Sequence, residues 1–181
     1  MIRLPDRGAL DRAERPRRAV IALGSNLGDR GDTLRAAVAA LQAAPGVEVA
    51  AVSPVVESVA VKLTGVDPGA PRYLNAVALV DTVLPPHGLL DALHAIESEH
   101  GRVRAERWGD RTLDLDIVDY AGLVAHDDVL TLPHPRAQDR AFVLAPWLAV
   151  DPAAELPGFG RVEELLAALG DDTVRAEGVE L

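Results

Sequence analysis

Apolar residues recur along this chain with two different periods, and the switches between them outline the elements. Ala19-Val-Ile-Ala-Leu23 is an unbroken apolar run ended by Gly24-Ser25-Asn26, the pattern of a buried central strand entering a tight turn. Asp29 is placed to cap a helix in which Leu34, Ala37, Val38 and Leu41 share one face, and Pro45-Gly46 ends it. Val47 to Val56 is valine-rich and alternating, so it predicts a second strand. Residues Lys62 to Arg72 hold prolines and glycines with little apolar content and read as a loop. Tyr73 to Val83 returns to strand character. Pro85 and Pro86 start a helix whose stripe is Leu89, Leu93 and Ile96, closed by Gly101. Thr112 to Tyr120 is the fourth strand.

The order strand, helix, strand, strand, helix, strand predicts an α+β fold. The expected core is a ferredoxin-like βαββαβ unit, an antiparallel sheet with helices on one face. Further along, Leu130 to Leu132 is expected in a short C-terminal hairpin, and Asp139 to Leu148 in a helix despite Pro146. Val162, Leu165, Leu166 and Leu169 form a last amphipathic helix ended by Gly170. Residues 1–18 lack periodicity and are expected to be a flexible leader, leaving 19–181 as a single domain.

Composition narrows the function classes. With 181 residues, 49% of them apolar and 25% charged, the chain suits one soluble domain with a sizeable core. No apolar run approaches the roughly 20 residues that cross a bilayer, and no signal-peptide core is present, so the expectation is a cytoplasmic protein with no membrane partner. Cysteine is absent, which removes disulfides, thiolate metal sites and cysteine nucleophiles and leaves oxygen or imidazole to hold any metal. A formal net charge of −10 argues against nucleic-acid binding. Positive charge is nevertheless concentrated locally: Arg102, Arg104, Arg107 and Arg111 lie within one stretch of ten residues.

Arg111-Thr-Leu-Asp-Leu-Asp-Ile117 is the most informative segment. On a strand, Asp114 and Asp116 share one face roughly 7 Å apart, while Leu113, Leu115 and Ile117 point into the core. Two carboxylates so placed can take hard cations such as magnesium, with phosphate oxygens completing the shell. Taken alone, an acid-x-acid pair is more often a solvated sheet face. The arginine-rich, glycine-bounded stretch Gly101 to Asp110 changes that balance, because guanidinium groups bind phosphate oxygens through planar paired donors. A charged loop of internal ion pairs is the alternative, against which Trp108 counts, since a large aromatic in a polar loop usually stacks on something. His134, held between Pro133 and Pro135, is either a ligand contact or a structural residue, and Asn75 beside Tyr73 either reads a heterocycle edge or caps a turn. Gly24-Ser-Asn-Leu-Gly28 lacks the lysine and spacing of a phosphate-binding loop and is taken mainly as a turn.

Together, A-L-G-S-N-L-G-D at Ala22 to Asp29, Y-L-N-A-V at Tyr73 to Val77, G-R-V-R at Gly101 to Arg104 and R-W-G-D-R-T-L-D-L-D-I at Arg107 to Ile117 resemble the 6-hydroxymethyl-7,8-dihydropterin pyrophosphokinases. L-T-L-P-H-P at Leu130 to Pro135 and R-A-F-V-L at Arg140 to Leu144 extend the likeness, which runs from about Ala19 to Pro152. The resemblance implies diphosphate transfer from ATP to the pterin alcohol in folate biosynthesis, by a monomer using two Mg2+ ions on Asp114 and Asp116. It implies ATP contacts from Glu97, Arg102, Arg104, Trp108, Arg111, Ile117, Thr131, His134 and Arg140, with Arg102 and Arg111 acting in catalysis. It implies a pterin pocket of Ser58, Tyr73, Asn75, Trp108 and Phe142. The chain departs from the family pattern at Asp110, where proline is common, at Val59-Ala-Val-Lys62, and at Pro135, where some members carry an aromatic. Two rivals are an RNA-recognition sheet, which needs aromatics on the central strands and a basic face where this chain has two each of Phe, Trp and Tyr and excess acid, and a sugar transferase with an acid-x-acid metal site.

Overall fold

The computed structural model describes residues 15–62, 65–67, 71–100 and 112–181. The first strand, β1 (Arg17–Ser25), starts two residues before the apolar run, because Arg17 and Arg18 continue its pairing while their side chains stay in solvent. Arg18 donates from Nε to Asp81 on the neighbouring strand at 2.7 Å. Helix α1 (Arg30–Ala43) follows, and Asp29 caps it by accepting from the Asp32 N–H at 2.9 Å.

The second strand is broken. β2 (Val47–Val52) and β3 (Val56–Ser58) both pair with the same neighbour, and Ser53-Pro54 interrupts them. Proline has no N–H to give a ladder, so a single strand from Val47 to Val56 cannot form. Ser53 rescues the gap: its N–H donates to Val77 O and its Oγ accepts from the Val77 N–H, each at 2.9 Å. The stretch expected to be a loop contains a small antiparallel pair, β4 (Ala60–Lys62) with β5 (Gly65–Asp67). β6 (Tyr73–Thr82), α2 (Pro86–Glu99) and β7 (Asp114–Tyr120) complete the core. Residues 101–111 between α2 and β7, which hold the arginine-rich stretch, lie outside the described residues.

β8 (Ala125–His126) pairs antiparallel with β9 (Thr131–Leu132). A single 3-10 turn, Ala137–Asp139, leads into α3 (Ala141–Val150). β10 (Glu155–Leu156) and β11 (Gly160–Arg161) pair before α4 (Val162–Leu169), and β12 (Val174–Arg175) adds to the far edge of the main sheet beside β3. That sheet is antiparallel in every pairing and runs β12, β3, β6, β1, β7, with β2 also against β6.

Two hydrophobic clusters use the two faces of this sheet. Ile21, Leu23, Ala76, Ala78, Leu115 and Ile117 meet Leu34, Ala37 and Leu41 of α1 and Leu89, Leu93 and Ile96 of α2. Val20, Val77, Leu79 and Val118 meet Val143, Leu144 and Trp147 of α3 and Val162 of α4. The two core helices share one face, and α3 and α4, further along the chain, cover part of the second. The cause is that β6 is apolar on both faces, with Ala76, Ala78 and Val80 towards α1 and α2 and Val77 and Leu79 on the other, a surface that water would penalise by roughly 25 cal/mol per Å2 if bare. Among the described residues, no helix is long and apolar enough to cross a membrane.

Candidate active site

Beyond the cover supplied by α3, the second sheet face carries polar side chains. Alternation along β7 puts Asp114 and Asp116 there, half-buried, while Leu113, Leu115 and Ile117 are at most 3% exposed in the core beneath. Across the sheet, Gly24 of β1 is paired with Asp114 on one side and with Asn75 of β6 on the other. Ala22 is likewise opposite Asp116. The residues facing the carboxylates from β1 are thus the two smallest available, which keeps the face low between β7 and β6.

At the β6 end, Ser58 and Asn75 are each 5% exposed, and Asn75 Nδ2 donates to Ser58 Oγ at 2.9 Å. Tyr73, half-buried, lies two residues before Asn75 on the same strand face. At the β7 end, two cations or potential cations approach Asp116 Oδ2: Arg140 Nη1 at 3.6 Å and His134 Nε2 at 3.8 Å. Neither comes from β7. His134 is brought by its N–H bond to Val118 O at 2.8 Å, where an extra residue bulges β7 against β1. Arg140 precedes α3, with its guanidinium carbon 5.7 Å from the centre of the Phe142 ring.

Burial sets the charge states here. It pushes the His134 imidazole down to about 4, helped by the positive charge of Arg140 and opposed by Asp114, so His134 is neutral at pH 7. Its Nδ1 accepts from the Arg136 N–H at 3.1 Å, which leaves the proton on Nε2, the nitrogen turned to Asp116. Burial also lowers Arg140, though from so high a starting value that it remains a cation. Among the described residues the site therefore presents two carboxylates, one fixed cation and one neutral N–H donor.

Glu97, expected along a nucleotide, is fully buried under the sheet, and its Oε1 accepts from the Leu115 N–H at 2.8 Å. It sits one helical turn after Leu93, so the same stripe that buries Leu93 buries it. The Ile117 side chain lies in the core on the opposite face from the aspartates, by the period of two, leaving its backbone alone to meet a ligand. Thr131 is half-buried at the start of β9, 2.7 Å from His126 Nδ1 through its Oγ1. Arg102, Arg104, Trp108 and Arg111, with Asp110, lie outside the described residues. Gly24, taken mainly as a turn residue, proves to be the centre of the cross-strand row; a glycine at the end of an apolar strand was its only signal.

Among the described residues no three His, Asp or Glu side chains converge as a self-sufficient metal site. Asp114 and Asp116 do fit a hard, oxygen-liganded cation of the magnesium type, which takes one or two carboxylates and draws its other ligands from water and substrate phosphates.

Known proteins resemble this chain over most of its length. A family model described as 7,8-dihydro-6-hydroxymethylpterin-pyrophosphokinase (HPPK) matches residues 20–152. The 2-amino-4-hydroxy-6-hydroxymethyldihydropteridine pyrophosphokinase of Pseudomonas aeruginosa is 44% identical over 83% of this chain and 91% of its own. Its namesake from Mycobacterium leprae is 41% identical over 91% of this chain and 88% of its own. Among solved structures, wild-type Plasmodium falciparum HPPK-DHPS with SDX-DHP superposes with a TM-score of 0.68 at 12% identity, covering 92% of this chain. This chain spans about half of that one, 49%, and at such identity the likeness speaks for the fold alone. On the family match and these relatives, the chain belongs to the 7,8-dihydro-6-hydroxymethylpterin-pyrophosphokinases.

Proposed function

We propose that this chain transfers a diphosphate group from ATP to the hydroxymethyl oxygen of 6-hydroxymethyl-7,8-dihydropterin, releasing AMP and forming the pterin diphosphate of folate biosynthesis. The observation that carries the reading is the row Asn75, Gly24, Asp114 across three strands, with Arg140 and His134 meeting at Asp116. One end of the row can read a heterocycle edge and the other can receive phosphate oxygens.

In this reaction a bond forms between the hydroxymethyl oxygen and the β-phosphorus of ATP, and the bond from that phosphorus to the α,β-bridging oxygen breaks. The hydroxyl proton is lost and AMP departs with the bridging oxygen. Such a step needs positioning and charge neutralisation more than covalent help from the protein. Asn75, braced by Ser58, orients the pterin, with Tyr73 and Phe142 beside the ring. Arg140 and the Nε2–H of His134 hold phosphate oxygens, with Thr131 along the nucleotide. Arg102, Arg104, Trp108 and Arg111 complete the phosphate and ring contacts from the segment before β7, and the water they exclude would otherwise compete as acceptor. Magnesium, two ions in this reading, would be held on Asp114 and Asp116 and supply the charge neutralisation that makes in-line transfer of the diphosphate possible.

The sheet order β2 and β3, β6, β1, β7, with α1 and α2 on one face, supports taking the core as the ferredoxin-like split βαβ. Both hydrophobic clusters share that sheet, which supports residues 19–181 working as one domain. In this reading the chain acts as a monomer in the cytoplasm.

The test is product analysis. The chain should release AMP, and no ADP, only when both magnesium and the hydroxymethyl pterin are present. Asp114→Ala and Asp116→Ala should each abolish turnover while leaving the circular dichroism spectrum intact. AMP release that persists in these variants, or proceeds without the pterin, sinks the assignment.

A further inference from the structure

We propose that Gly24 is the specificity-determining floor of the pterin end, its missing side chain being what lets the Asn75 amide and a flat heterocycle share the sheet surface. This rests on the functional reading above.

Most glycines that a fold requires are required for their backbone angles. Gly28, three residues on from the end of β1, is of that kind, with φ at 65°. Gly24 is different: it lies in regular strand, buried, and is not among the residues of positive φ. Alanine is therefore free to adopt its backbone, and what glycine provides here is space. A Cβ built at Gly24 would stand 3.3 Å from Asn75 Oδ1 and 3.8 Å from Tyr73 Cδ1, with nothing else within 4 Å. The second distance is ordinary contact, whereas the first is tight enough that Asn75 must give way.

Asn75 has little freedom to do so. Its Nδ2 is tied to Ser58 Oγ at 2.9 Å, both residues are 5% exposed, and this bond turns Oδ1 towards Gly24. A methyl group at Gly24 therefore shifts the Asn75 amide by a few tenths of an ångström, up over the floor where a ring would lie and with the Ser58 bond kept. An acceptor aimed at the N–H edge of a heterocycle is thereby moved. The flanking positions point the same way. Gly24 is paired with Asp114 on its other side, and the two flanking Cα atoms are roughly 10 Å apart across three strands. A bicyclic ring read at Asn75 and lying flat over Gly24 would carry its exocyclic hydroxyl towards Asp114.

The experiment uses the full chain with 6-hydroxymethyl-7,8-dihydropterin as the probe. Pterin-dependent AMP release and thermal unfolding are measured for the unmodified protein, Gly24→Ala, Asn75→Ala and the double variant. Gly24→Ala should raise KM for the pterin about tenfold, as expected for loss of one neutral hydrogen bond, with KM for ATP and Tm unchanged. The double variant should be no worse than Asn75→Ala alone, because the methyl group acts through the amide it displaces. An unchanged pterin KM in Gly24→Ala, fully additive losses in the double variant, or a fall in Tm would each overturn the proposal. If the unmodified chain releases no AMP with this pterin, it is the functional reading that fails.

Discussion

Glu97 shows how a single carboxylate can be chemically loud in the sequence and silent at the surface. Its Oε1 accepts the Leu115 N–H, which lies between the two site aspartates on a strand at the end of the sheet order. Replacing it with alanine leaves a buried donor without that acceptor, a cost of about 1–3 kcal/mol. Glu97→Ala should lower the urea midpoint accordingly, and Glu97→Gln, which keeps an acceptor oxygen, should recover part of the loss. Equal midpoints for the unmodified chain and Glu97→Ala would show that the bond is dispensable. The stripe read from the sequence was Leu89, Leu93 and Ile96, and Glu97, one turn after Leu93, extends it, so its burial follows from the same spacing only once the helix is seen packed.

At the scale of elements, the β8–β9 pair is held to α2 by one aspartate. Asp127 accepts from the N–H groups of Val129 and Leu130, both at 2.8 Å, and its Oδ2 is 2.7 Å from His87 Nε2 in the first turn of α2. Those backbone donors first, and His87 after them, hold the carboxyl down at about 2, against an ordinary value of 3.8. A carboxyl depressed by folding stabilises fully above its unfolded value and loses that contribution as the pH falls through the folded one. The window is therefore from about pH 4 down to about 2. Asp127→Asn should be less stable than the unmodified chain at pH 5, and the gap should close across that window in urea midpoints taken at a series of pH values. Parallel curves would remove Asp127 from the acid response. Strand breaks belong to this scale too: alternation from Val47 to Val56 predicted one strand, and Pro54 divided it where the ladder needed an N–H.

Taken whole, the molecule is a sheet sealed on one face by α1 and α2 and partly on the other by α3 and α4. Trp147 anchors the second layer at 2% exposure. Trp147→Ala should cost about 3–5 kcal/mol through lost burial and the cavity left behind, read as a fall in the urea midpoint. A loss below about 1 kcal/mol would mean that the second layer contributes little to the fold.

What the sequence determined by itself was local and periodic. Alternation placed Asp114 and Asp116 on one face and Leu113, Leu115 and Ile117 beneath, because a strand's period of two needs no partner to be expressed. The helical stripes of α1 and α2 were readable for the same reason, as spacing along one chain segment. Only the tertiary structure decided what meets those aspartates. Arg140 and His134 reach Asp116 from beyond β9, and Gly24 comes between Asp114 and Asn75 through the register of three strands. Register and crossing position depend on the total burial of both sheet faces, a sum over residues far apart in the chain that no window of sequence contains.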